Sequence, residues 1–270
     1  MKTQILIAVA LLAMLASSAS AQQGQMMPWT IDGTPRQALV FAPPIEGNSE
    51  KHPLIFAFHG HGQKDVRDMV AKWNFQTVWP EAIVVYPQGL PGPPVINPQN
   101  RPEGPGWQRY VGDQGDRDLK FFDRMLETLR QKFPVDNQRI YAVGFSNGAY
   151  FTYVLWSARH TTLAAIGAVA GAVTGAPLPP IPLTQPLPVM HIAGLMDGTV
   201  PLEWQAQTIA IDRKVNNAPV NEGQSCGDCC VLFPSSSQAP VKFWVHNGGH
   251  EYLTWMTAEF VKFFKNHQRT

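Results

Sequence analysis

The 270-residue chain balances 21 Lys and Arg against 20 Asp and Glu and carries 8 Trp and 14 Phe. Such an even charge leaves no electrostatic footprint for nucleic acid. No segment reaches the roughly 18 uninterrupted apolar residues that a membrane-spanning helix needs, and a near-neutral chain with this many aromatic side chains suits a neutral or apolar small molecule as partner.

Lys2, an apolar run over 5–15 and then Ala19-Ser20-Ala21 form the pattern of a cleaved secretory leader. Residues 1–21 are therefore read as a signal peptide and 22–270 as a single domain that works outside the cytoplasm, whether extracellular or periplasmic. Removing the leader takes away Lys2 and no acid, which leaves 20 basic against 20 acidic side chains.

The first ordered element is expected to be a hairpin over 29–44, because two β-like runs flank the turn pair Asp32-Gly33. From residue 54 the pattern changes. Short apolar runs at 54–58, 82–85, 140–143, 164–169, 189–192 and 241–245 alternate with helix-like stretches. Continuous apolar runs of this length belong to strands covered on both faces, so the alternation predicts a mostly parallel, doubly wound α/β sheet with helices on both sides. The best-defined helix covers 118–133, where Leu119, Phe122, Met125, Leu126, Leu129 and Phe133 recur every three or four residues, with Asp116 or Asp118 as its cap. A final helix over 252–266 repeats the scheme. The Pro- and Gly-rich stretches 89–106 and 174–188 are read as loops.

The three cysteines, Cys226, Cys229 and Cys230, lie within five positions and have no distant thiol to pair with. In an oxidising compartment Cys226 pairs with Cys229 or Cys230 and staples a small loop. A zinc site wants four ligands and no second Cys or His pair is nearby, so no metal is assigned.

Chemistry concentrates at Gly144-Phe145-Ser146-Asn147-Gly148, which follows a predicted strand and opens a helix-compatible run. That is the context of a nucleophile elbow, a tight strand-to-helix turn that presents the serine hydroxyl. A hydroxyl is a weak nucleophile until a base takes its proton. The strand 189–192 leads to Asp197-Gly198, and the strand 241–245 leads to Gly248-Gly249-His250, so an acid and a base follow the serine on strand-end loops, 51 and then 53 residues on. Ser146, Asp197 and His250, in that order, are the expected nucleophile, orienting acid and general base, the chain order of α/β-hydrolases. His246 and Glu251 are rival candidates beside His250, and Asp212 and Asp228 are weaker acids because neither follows a predicted strand. The backbone N–H groups of Asn147 and His61, with Gly62 as the nearest substitute for the latter, are the expected donors to the oxyanion. Trp107 on the Pro/Gly loop is a candidate substrate contact, with core packing as the rival.

With these residues in place, the chain resembles the secreted poly(3-hydroxybutyrate) depolymerase and feruloyl esterase family of carbohydrate-esterase-like α/β-hydrolases. The matching landmarks run from Ile31-Asp32-Gly33 through Phe58-His59-Gly60, Tyr86-Pro87-Gln88-Gly89, Trp107 and Asp118-Leu119 to the serine pentad and Gly248-Gly249-His250. His61 stands where such proteins often carry a cysteine or a small residue, Ala149 replaces a frequent glycine, and the cysteine cluster is outside the pattern. The resemblance implies cofactor-free hydrolysis of feruloyl or acetyl esters or of hydroxyalkanoate oligomers. The lack of an added polymer-binding domain favours a soluble ester or oligomer over solid polymer. A serine peptidase on the same fold and a non-catalytic binding protein on a hydrolase scaffold are the alternatives.

Overall fold

The computed structural model describes residues 22–44, 50–96, 101–175 and 178–269; the leader assigned to 1–21 lies outside them. Six strands form the parallel centre: β3 (His52–Phe58), β4 (Ile83–Pro87), β7 (Val135–Phe145), β8 (Ala165–Val169), β9 (Val189–Gly194) and β12 (Val241–His246). Antiparallel hairpins close both edges. The expected opening hairpin is β1 (Gln25–Ile31) with β2 (Thr34–Phe41), turned at Asp32-Gly33, and it joins the sheet beside β4. At the far edge β10 (Gln224–Gly227) and β11 (Cys230–Phe233) join beside β12.

The sheet order is β1-β2-β4-β3-β7-β8-β9-β12-β11-β10. The chain winds one way from β3 to β4 and the other way from β7 through β8 and β9 to β12. The order therefore reverses between β3 and β7, and the crevice at the carboxyl ends of two such strands is where doubly wound sheets place their sites.

Period-two alternation sorts each central strand onto both faces. Leu54, Phe56 and Phe58 of β3 pack into one core with α3 (Arg117–Lys132), α4 (Asn147–Arg159) and α5 (Leu202–Val215). Ile55 and Ala57 face the other core, built with α1 (Arg67–Trp73), α2 (Phe75–Val78) and α6 (Thr254–Lys265). Both faces are covered, which is why the strands read as unbroken apolar runs.

Two expectations are corrected. The 89–106 stretch is not purely loop, since β5 (Leu90–Gly92) and β6 (Gly104–Gly106) pair as a small antiparallel ribbon. Neither Asp116 nor Asp118 caps α3 through its side chain. Gln108 Oε1 instead accepts from the N–H groups of Asp118 and Leu119, at 3.1 and 3.0 Å. The Asp118 carboxylate turns inward to a fully buried ion pair with Arg36 at 2.7 Å and accepts the Gln108 N–H at 2.7 Å. The guanidinium also lies 4.1 Å over the Phe121 ring. A remote capping residue leaves no local pattern, so a search of the helix's own first turn misses it.

Gln108 is fully buried, and replacing its side chain with the isobutyl group of leucine leaves two helix N–H groups without their acceptor. Gln108→Leu is expected to lower the unfolding free energy by about 2–4 kcal/mol. Urea denaturation checks this, and a loss below about 0.5 kcal/mol contradicts the capping account.

Candidate active site

Ser146 sits at the tip of β7 with φ 54° and ψ −120°, a conformation costly for any residue with a side chain. The strain is held by close packing on both sides of the turn. A Cβ on Gly144 would lie 2.2 Å from the Gly148 carbonyl, and one on Gly148 would lie 2.0 Å from the Phe58 carbonyl oxygen. A side chain at Gly144 would push α4 off β7, one at Gly148 would push it off β3, and either would disrupt the turn. Ser146 N–H donates to the Val169 carbonyl at 2.8 Å, and the Ser146 carbonyl accepts from Ala149 and Tyr150 to start the helix.

The structure brings the other two predicted side chains to this turn. His250 Nε2 is 2.8 Å from Ser146 Oγ, and His250 Nδ1 is 2.9 Å from Asp197 Oδ2. Asp197 Oδ1 accepts the N–H groups of Thr199 and Val200, both at 2.8 Å. Burial alone would raise the Asp197 carboxyl, but the hydrogen bonds from His250 and from the Val200 and Thr199 amides outweigh it and hold the group below its ordinary range. An ionised Asp197 accepts a hydrogen bond from His250 Nδ1–H, and the tautomer this favours leaves Nε2 bare and facing the serine hydroxyl. The Phe145 ring flanks His250 with centroids 4.9 Å apart. The rivals lie elsewhere in the hydrogen bonding: His246 Nδ1 accepts the Gly248 N–H at 3.0 Å, and Asp212 is wholly buried on α5.

The loop after β3 runs directly beside the serine, since a Cβ on Gly60 would sit 3.4 Å from Ser146 Cβ. Gly62 N–H is taken by the Pro105 carbonyl at 2.8 Å, which removes Gly62 as a substitute donor. Among the described residues, no acceptor takes the N–H of His61 or of Asn147. His59 anchors this loop. Its Nε2 accepts the Gly89 N–H at 2.9 Å and its Nδ1 donates to the Gly60 carbonyl at 2.7 Å. Burial pushes its pKa down to about 4 against an opposing hydrogen bond to the Gly60 carbonyl.

Of the two readings of Trp107, substrate contact and core packing, the structure has core packing. Trp107 is 2% exposed, its ring packs on Phe58 and Phe151, and its Nε1–H donates to the His59 carbonyl at 2.8 Å. Its backbone is clamped by the Asn147 side chain, which accepts from Trp107 N–H at 2.7 Å and donates to the Trp107 carbonyl at 3.1 Å. Sequence reasoning gave Asn147 only a backbone role and missed this clamp, because the two residues are forty positions apart. It also missed Gln205, whose Nε2 lies 3.4 Å from Asp197 Oδ2. The cysteine alternatives resolve to Cys226–Cys230, with Cys229 free and exposed. Among the described residues no three His, Cys, Asp or Glu side chains are grouped to hold a metal ion.

No family model matches the chain. Among curated proteins it is 27% identical over 216 residues to feruloyl esterase C of Emericella nidulans, covering 75% of this chain and 72% of that protein. It is 26% identical over 260 residues to feruloyl esterase D of Neurospora crassa, covering 84% and 78%. Similarity to a bifunctional acetylxylan esterase/xylanase of Neocallimastix patriciarum, 26% over 167 residues, spans 61% of this chain but only 22% of that larger protein. Solved structures superpose at lower identity. An acetyl xylan esterase from Aspergillus awamori matches with a TM-score of 0.61 at 12% identity, over 90% of this chain and 99% of that one. A Bacillus cereus carboxylesterase matches at 0.58 and 17%, over 86% and 94%. This chain has the α/β-hydrolase fold.

The His59 anchor makes stability depend on pH. The unfolded imidazole titrates near 6.5 and the folded one near 4, so between these values the unfolded chain binds the extra proton. The unfolding free energy therefore falls as pH drops from 6.5 toward 4, by about 1.4 kcal/mol per pH unit from this residue. Denaturant titrations at pH 5 and 7 are expected to show a difference that shrinks in His59→Gln, and an unchanged difference removes His59 from the account.

Proposed function

We propose that this protein is a secreted serine esterase in which Ser146 attacks an ester carbonyl, His250 moves the proton and Asp197 orients the histidine. Its broader class, a carboxylic ester hydrolase, follows from the esterase relatives on this fold. The observation that carries the finer reading is the unbroken line Ser146 Oγ, His250 Nε2, His250 Nδ1, Asp197 Oδ2, with contacts of 2.8 and 2.9 Å. That spacing supports direct transfer of the serine proton to the imidazole.

In the first half-reaction His250 Nε2 takes the Ser146 proton as Oγ bonds to the carbonyl carbon. The negative oxygen that forms is assigned to the N–H groups of His61 and Asn147. Collapse of the tetrahedral species breaks the ester C–O bond, and the proton on His250 leaves with the alcohol. Water then enters by the same path, giving its proton to His250, releasing the acid and restoring Ser146. The sequence of steps consumes one water and calls on no cofactor.

Leu195 and Met196, 53% and 72% exposed, sit on the loop that carries Asp197. An apolar rim of this kind supports a neutral ester with an aromatic or aliphatic part, and the feruloyl esterase relatives favour a feruloyl or acetyl ester over a hydroxyalkanoate oligomer. We assign residues 22–270 to one catalytic unit released by cleavage after Ala21. Among the described residues no helix is long and apolar enough to cross a membrane.

Purified protein is expected to hydrolyse p-nitrophenyl acetate and methyl ferulate, with hydroxybutyrate oligomers and a dipeptide p-nitroanilide as comparison substrates. Ser146→Ala is expected to abolish ester turnover, and equal activity in that variant sinks the nucleophile assignment. Faster cleavage of the anilide than of any ester moves the protein to the peptidases. Asp197→Asn is expected to lower kcat by roughly 10⁴, the loss that follows when the histidine takes the wrong tautomer; near-normal kcat in steady-state assays moves the acid elsewhere.

A further inference from the structure

Behind Asp197, on the side away from Ser146, lies a row of polar side chains that acyl transfer does not use. Tyr153 projects from α4, His191 from the middle of β9, and Gln205 and Asp212 from α5; all four are fully buried. They form one connected line. Asp212 Oδ2 is 3.0 Å from Tyr153 Oη, Tyr153 Oη is 2.9 Å from His191 Nδ1, and His191 Nε2 is 2.9 Å from Gln205 Oε1. Gln205 Nε2 then meets the Val200 carbonyl at 2.8 Å and Asp197 Oδ2 at 3.4 Å.

The proton positions along this line follow from its Asp197 end. The Val200 carbonyl and the Asp197 carboxylate only accept, so Gln205 must present its NH₂ to both. That turns Gln205 Oε1 toward His191, whose Nε2 must therefore carry the hydrogen. Burial holds His191 near 4, so the ring is neutral at ordinary pH and its Nδ1 is bare. Tyr153 must then donate to Nδ1, and having spent its one proton it can only accept from Asp212. Asp212 is thus required to be a neutral acid, in agreement with the strong upward push that burial gives its carboxyl. Its other oxygen, Oδ1, has no partner among the described residues, an arrangement far less costly for a neutral acid than for a carboxylate.

Apolar side chains of similar volume would fill this space at lower cost. A connected buried row instead rigidifies the groups that it joins. We infer that Asp212, Tyr153, His191 and Gln205 form a one-directional hydrogen-bond row that positions Asp197 to receive His250. The inference rests on the reading of Asp197 as the orienting acid. Asp197 Oδ1 is held by the Thr199 and Val200 amides, while Oδ2 is shared between His250 and the end of the row. Losing the row frees the carboxylate to tilt about its Cβ–Cγ bond. The four are positioning residues and touch no substrate.

The test is a cycle on p-nitrophenyl acetate hydrolysis. Gln205→Met, which keeps volume and removes the amide, and Tyr153→Phe are each expected to lower kcat about tenfold while KM stays within about twofold. In the Asp197→Asn background the same changes are expected to add less than about twofold, because there is no carboxylate left to position. An equal tenfold loss in both backgrounds, or no loss in either, overturns the inference and leaves the triad reading standing. Full activity of Asp197→Asn alone overturns both. If the variants do not fold, nitrogen NMR of the unmodified protein decides: His191 is expected to be neutral with hydrogen on Nε2, and an Nδ1–H tautomer or an imidazolium overturns the inference.

Discussion

The contact that the site depends on is the near-collision of α4 with the end of β3. Gly148 lies so close to the Phe58 carbonyl that no side chain fits between them. This contact sets Ser146 at the tip of β7 beside the loop from β3, and so brings the serine proposed as nucleophile close to the loop that carries His61, whose N–H, like that of Asn147, no acceptor takes among the described residues. Because β3 and β7 are the strands at which the winding reverses, the crevice already exists, and the two glycines of the pentad let the chain fill it.

The supports around that contact are polar and come from distant positions. Asn147 clamps the backbone of Trp107; the adjacent Gln108 caps α3; Asp118, at the start of α3, binds Arg36 from the opening hairpin. Each group in this series would be costly to bury alone, and each finds its partner in the next. The Trp107 ring, wedged against Phe58 and Phe151, holds the series against the same strand that carries the loop beside Ser146.

What the sequence revealed and what it hid divide along this line. Strand positions were legible because two covered faces make apolar runs that no surface element has, and the pentad was legible because a strained serine turn demands glycines at fixed offsets. Ser146, Asp197 and His250 could be picked out as candidates because each follows such a strand. Trp107 stayed open between substrate contact and core because its Pro- and Gly-rich surroundings look exposed, while the ribbon formed by 90–92 and 104–106 accompanies a tryptophan packed inward. Gln108 and Gln205 were invisible. A glutamine that caps a remote helix or orients a remote acid leaves no period and no motif, only a polar residue that the sequence alone would place at the surface.

The sheet order also governs when the site can exist during synthesis. β12, which delivers His250, pairs with β9 deep in the second half of the chain, and β9 delivers Asp197. A growing polypeptide that has emerged through α4 already contains the serine and the loop sequence beside it, but the histidine proposed as its base lies about a hundred residues further on. Ser146 therefore stands without His250 until position 250 of the 270 has been made. On the proposed roles, a fragment that ends before residue 250 lacks the group assigned to take the Ser146 proton, so nascent and prematurely ended chains are expected to be inactive.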